Sequence, residues 1–284
     1  LYLVNIDTVP VVAFATGHNE MLTVSDNLST FTGMLNDNNF EVKEFNMLTD
    51  EIPEDASIVV LGTPTTDYTS EELSKLEAYL DDEKMASSRT LYVTAYPTQS
   101  WADMPNLKSF LAEWGLEPQT GVLFESDMNN VLTTQDASPA YLFANVTDDV
   151  LSGTYDNVIA AAAVEENPNT DTYTITGLAQ RYMDNQGKIC ANVVVDGNSM
   201  GYLSTFLGNS TFGNKDYTLD FIKNLTGTTD TRVGLVVNQT QTNTLDISAS
   251  SAVIQTIGLG LFTIVVPVAV LVIGLVIFLR RRHL

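Results

Sequence analysis

The stretch PVVAFATGHNE, residues 10–20, decides how the rest of the chain is read. Five apolar residues in a row, Val11, Val12, Ala13, Phe14 and Ala15, are closed at once by Thr16 and Gly17. A run so short and so sharply ended reads as a buried strand followed by a turn. The turn carries His18, Asn19 and Glu20, and His18 is one of only two histidines, the other being His283.

Outward from that strand the signals alternate. Residues 25–39 place Leu28, Phe31 and Leu35 on one helical face, and residues 40–47 alternate like a strand with one solvated side. Residues 57–61 form a second apolar run, closed by Gly62 and Pro64. Residues 69–84 carry the clearest helix: Thr69 and Glu72 have capping-box spacing, and Leu73, Leu76 and Leu80 form its inward stripe. A strand over 89–97 and a helix over 104–118, halted by Gly115, complete the order β-α-β-β-α-β-α. That order predicts an open, mostly parallel α/β sheet with helices on both faces.

Beyond residue 121 the pattern loosens. Segments 141–149, 155–166 and 171–183 read as strands of a smaller or inserted sheet within 121–190, after which residues 187–227 return to strand, turn and helix. Leu219, Ile222 and Leu225 stripe that last helix. The α/β domain is expected to span 1–230, a polar, Thr- and Asn-rich linker 231–253, a membrane span 254–279 and a basic tail 280–284.

The span follows from residues 247–279, which contain no charge, and above all from the 23 residues 257–279, enough to cross a bilayer with some tilt. Arg280, Arg281 and Arg282 follow immediately and put the C-terminus on the cytoplasmic side, with the α/β domain outside the cell membrane. Export of that domain requires a signal or a first span ahead of residue 1. Within the span, Gly258, Gly260 and Gly274 offer small surfaces to a neighbouring helix, and Pro267 is expected mid-span.

Thirteen basic residues against thirty-five acidic ones give a net charge of −22. Phosphate backbones need clustered Lys and Arg, so nucleic acid is excluded as a partner class. The single cysteine, Cys190, forms no intramolecular disulfide and sits in an apolar strand, a structural thiol rather than a nucleophile.

Catalysis needs a nucleophile or base with a positioned partner, and residues 89–101 offer no G-x-S-x-G elbow and no cysteine. There is no G-x-x-x-x-G-K-[ST] phosphate loop and no G-x-G-x-x-G turn. His18 with the scattered carboxylates Glu20, Asp196 and Asp216 does not make a metal-ligand set. No cofactor is expected. Ligands of open α/β sheets do bind beyond the carboxyl ends of the strands. Thr16, Gly17, His18, Asn19 and Glu20, together with Gly62 and Thr63, are therefore the candidate crevice, suited to a sugar or a peptide.

Five stretches in order resemble the GldG-type auxiliary subunits of ABC transporters: VVAFATGHNE (11–20), IPEDASIVVLGTPTTDYTSEELSKLEAYL (52–80), PNLKSFLAEWGLE (105–117), GNKDYTLDFIKNLTG (213–227) and VPVAVLVIGLVIFLRRRH (266–283). The chain departs from that family's pattern at DGNSMG (196–201) and at Asn224, where a tryptophan is expected. The resemblance implies a flavodoxin-like or amidotransferase-like α/β module beside membrane spans, with no catalysis of its own. Its implied partners are the permease and ATPase subunits on other chains, and the lipid bilayer. The alternative expectation is a membrane-anchored hydrolase or sugar-binding surface module that uses the 16–20 turn.

Overall fold

A computed structural model of the chain describes residues 9–81, 88–96, 99–121, 132, 142–144, 158–160, 165–167, 172–182, 188–228 and 266–282. The chain divides into two compact units, Leu1–Arg232 and Val233–Leu284.

The strands of the first unit, in chain order, are β1 (Val11–Thr16), β2 (Glu41–Asn46), β3 (Ala56–Gly62), β4 (Arg89–Thr94), β5 (Leu142–Ala144), β6 (Val158–Ala160), β7 (Glu165–Asn167), β8 (Thr172–Thr174), β9 (Thr176–Tyr182) and β10 (Ile189–Asp196). Its helices are α1 (Ser29–Asp37), α2 (Ser70–Leu80), α3 (Pro105–Glu113), α4 (Ser204–Leu207) and α5 (Asn214–Leu225). Six strands form one sheet in the order β2-β1-β3-β4-β10-β9. All neighbours pair in parallel except β9, which runs antiparallel to β10. The five parallel strands keep the doubly wound order 2-1-3-4-5.

Both faces are covered, which is why the inner strands read as unbroken apolar runs. All seven residues of β3 are buried. Alternate side chains feed two cores. Ala13, Val59, Leu61, Leu91 and Val193 pack against Leu76 and Leu80 of α2 and Leu107 and Leu111 of α3. Val12, Phe14, Ile58, Val60 and Val194 pack against Phe31 and Leu35 of α1 and Ile222 and Leu225 of α5. Each leucine so buried stabilises the fold by roughly 1.5–3 kcal/mol. The edge strand β2 buries only Phe45 and turns Glu41 and Glu44 to solvent, a charge pattern that guards an open edge.

Three details differ from the sequence reading. Helix α1 begins at Ser29, because residues 23–28 form a turn in which the Thr23 carbonyl accepts from the amides of Asp26, Asn27 and Leu28. Leu73 is only half-buried, and Tyr79 takes its place in the inward stripe of α2. Residues 176–182 belong to the main sheet rather than to an inserted one. An antiparallel partner for β10 is reached by a short connection, and among the described residues β5–β6 and β7–β8 make separate two-stranded pairs.

In the second unit the described helix is α6, Val266–Arg282, with 17 residues. No helix among the described residues is long and apolar enough to cross a membrane. Gly258 and Gly260, with the rest of 254–265, lie outside the described residues. Pro267 is the second described residue of α6, and the residues before Val266 lie outside the described ones. Val268, Val270, Leu271 and Ile273 are exposed along that helix.

Candidate functional site

The sheet order reverses at β1, with β2 on one side and β3 on the other. The carboxyl ends of β1 and β3 are adjacent, Ala15 pairing with Leu61. Thr16, Gly17, His18, Asn19 and Glu20 therefore meet Gly62 and Thr63 at the topological switch point, where open α/β sheets bind ligands.

The two turns do not line an open crevice. They are fastened to each other. The amides of Thr65 and Thr66 donate to the His18 carbonyl at 3.0 and 3.1 Å, and those of Met21 and Leu22 donate to Thr63 and Gly62 at 3.0 and 2.9 Å. The Asn19 amide donates to the Thr66 hydroxyl at 2.9 Å, and the Thr65 hydroxyl donates to the Asn19 carbonyl at 3.0 Å. The contact leaves no room for a side chain at Gly62, where a Cβ would stand 2.2 Å from the Leu22 carbonyl oxygen. Asn19 and Thr63 have positive φ, 51° and 57°, a conformation unusual for a β-branched residue such as Thr63.

Local chemistry shapes the first turn. Gly17, at φ 117°, lets the chain reverse. Glu20 folds back so that its carboxylate accepts from the amides of Gly17 and His18, each at 3.1 Å. Thr16 donates its hydroxyl to the Phe45 carbonyl of β2 at 3.1 Å and ties the strand end down.

His18 is turned inward and is 2% exposed. Its ring lies flat on Tyr68, with centroids 3.8 Å apart and planes 9° from parallel. Nε2 stands 3.3 Å from Oε2 of Glu72. The same oxygen accepts the amide and hydroxyl of Thr69, each at 2.8 Å, in the capping box of α2. Burial pulls the Glu72 pKa up, but the Thr69 bonds and the nearby His18 outweigh it and hold the carboxyl below the usual glutamate value. Burial, reinforced by the charges of Glu20 and Glu72, pushes the Tyr68 phenol well up. Nδ1 of His18 and the hydroxyl of Tyr68 are buried without a hydrogen-bond partner among the described residues.

The segment 63–68 is held from behind as well. Gln99 donates to the Pro64 carbonyl at 2.6 Å. Asp67 accepts from the amides of Asn106 and Leu107, both at 3.0 Å, and so caps α3 from a distant loop. Asn106 returns a bond to the Tyr68 carbonyl at 2.9 Å. Thr63 meets Thr94 hydroxyl to hydroxyl at 2.8 Å. A cavity lined by Phe14, Leu22, Phe31, Gly62, Tyr92 and Tyr202 is apolar and about 10 Å³, at most one water in size.

A second polar cluster, unmarked in the sequence, closes the ends of β4 and β10. Asp196, 1% exposed, accepts from the hydroxyls of Tyr92 (3.1 Å) and Tyr202, from Thr176 (3.0 Å) and from the Asn198 amide (3.0 Å). Burial first, and the Asp196 charge second, push both tyrosines well above their usual pKa, so they stay protonated donors. Asp196 is thus committed inside the protein while Asp216 is exposed on α5. Among the described residues no group of three His, Cys, Asp or Glu is placed to hold a metal. Cys190 donates its thiol to the Arg181 carbonyl at 3.3 Å across β9 and β10. Gly274 lies on α6 with open space where a Cβ would be.

No family model and no curated protein matches the chain. Among solved structures it is similar to one titled "mmIFT52 N-terminal domain", at 17% identity and a TM-score of 0.56, over 75% of this chain and 96% of that one. A likeness at that identity is one of fold.

Proposed function

We propose that the chain is a noncatalytic, membrane-anchored extracytoplasmic subunit of an ABC-type transporter. Its α/β unit docks on the permease and gates or binds cargo, and residues 257–279 cross the bilayer with Arg280, Arg281 and Arg282 at the cytoplasmic face. The observation that carries the noncatalytic part is the commitment of the switch-point groups. The His18 carbonyl and the Asn19 side chain fasten one turn to the next, the Glu20 carboxylate closes its own turn on the amides of Gly17 and His18, and the imidazole bonds a helix-capping glutamate. The uncharged 23-residue stretch with its arginine stop supports the anchor, and the five GldG-like stretches support the transporter.

Purification of the tagged chain from native membranes in mild detergent tests the reading. Recovery of an ATPase and a permease with it is expected, and recovery of the chain alone overturns it. A His18→Ala, Glu20→Ala double variant should still assemble, whereas a hydrolase would stay folded and lose turnover.

A further inference from the structure

His18 has the bonding pattern of a guest held in a seat. A flat, N–H-bearing ring is stacked on the face of Tyr68 and donates to the carboxylate of Glu72. The seat itself is rigid. Asn106 and Asp67 hold Tyr68 to the start of α3, and the capping box holds Glu72. The turn that carries His18 is latched by Asn19, Thr65 and Thr66, all exposed. The fit is also incomplete, since Nδ1 of His18 and the hydroxyl of Tyr68 are both buried unpartnered in the same contact. Release of the turn brings water to both atoms, so opening recovers what closure leaves unmet.

We propose that the face of Tyr68 and the carboxylate of Glu72 form a binding site for a guanidinium, the arginine side chain of a basic polypeptide, and that His18 is its built-in occupant. A guanidinium is planar, stacks on aromatic faces and presents a fork to a carboxylate. His18 and Thr69 both bond Oε2 of Glu72, which leaves Oε1 for the second arm. The net charge of −22 draws basic partners from a distance. Binding swings the 17–20 turn outward and frees the amides of Thr65 and Thr66 from the His18 carbonyl. The site stands on this geometry whether or not the chain serves a transporter.

Calorimetric titration of the full-length chain in detergent with N-acetyl-arginine amide tests the proposal, paired with hydrogen exchange on peptides covering 17–22 and 63–68. Millimolar binding is expected, about fivefold tighter than for N-acetyl-lysine amide, with faster exchange in both peptides. Asn19→Gly keeps the positive φ and removes one latch bond, and should tighten binding about fivefold by populating the open turn. Glu72→Gln retains the capping box and should weaken binding at least tenfold. The proposal is overturned if Asn19→Gly gives no heat at millimolar probe, if Glu72→Gln or the lysine probe binds equally well, or if exchange at 17–22 does not rise.

Discussion

Two buried carboxylates stand along the carboxyl edge of the same sheet, and they are treated in opposite ways. Asp196, at the end of β10, receives two phenols, a threonine hydroxyl and a backbone amide, so both of its oxygens are occupied. Glu72, beside the ends of β1 and β3, receives its bonds on one oxygen, and two of the polar atoms packed around it find nothing. A fully satisfied buried network fixes a single arrangement, whereas a half-satisfied one stores an incentive to open. The Asp196 corner holds β4, β9 and β10 together. The His18 corner is where the molecule has something left to bind.

The sharpest way to break that contrast is Asp196→Ala. Four donors lose their acceptor in the interior, and the cost is expected to be about 4 kcal/mol even though Tyr92 and Tyr202 can still bond each other. A urea midpoint within experimental error of the parent would show that the network is not a fixed support. Gly62→Ala comes next. The new Cβ would meet a backbone oxygen at 2.2 Å, which no side-chain rotation relieves, and about 3 kcal/mol should be lost. A stable Gly62→Ala protein would mean that the two turns lie further apart than their hydrogen bonds require.

The sequence made the His18 corner visible and hid the Asp196 corner. PVVAFAT announces a strand end because both faces of an inner parallel strand are covered and a glycine follows. Thr69 and Glu72 announce a helix start because a capping box is local. That Glu72 also receives His18 is set by which loops the sheet order brings together, and no local spacing records it. That Asp196 gathers Tyr92 and Tyr202 went unread for the same reason, because the three are brought together only by the sheet order. The sequence also placed residues 176–182 in an inserted sheet, since strand periodicity marks a strand but not its partner.

A smaller effect separates the capping role of Thr69 from the seat beside it. Thr69→Ala removes the hydroxyl that receives the Glu72 amide and donates to its carboxylate, and should cost about 1 kcal/mol in the urea midpoint. Since that hydroxyl bonds Glu72 and not His18 or Tyr68, hydrogen exchange at 17–22 should change less than under Asn19→Gly. Equal changes would mean that the cap and the latch form a single unit.

The smallest expected effect is a pH dependence whose sign is fixed by Glu72. Its carboxyl is held below the ordinary value of 4.5 in the folded protein, so on acidification the unfolded chain takes up the proton first. The stabilisation is therefore complete above about pH 5 and is lost as the pH falls through the folded value. Glu72→Gln cannot titrate, yet it keeps the capping geometry, so its urea midpoint should fall less steeply than the parent's between about pH 5 and pH 3. The other carboxylates titrate alike in both proteins, which leaves the difference between the two curves to Glu72. If the two fall in parallel, the Thr69 bonds do not stabilise the charged form. The seat beside His18 would then lack the anion that a guanidinium requires.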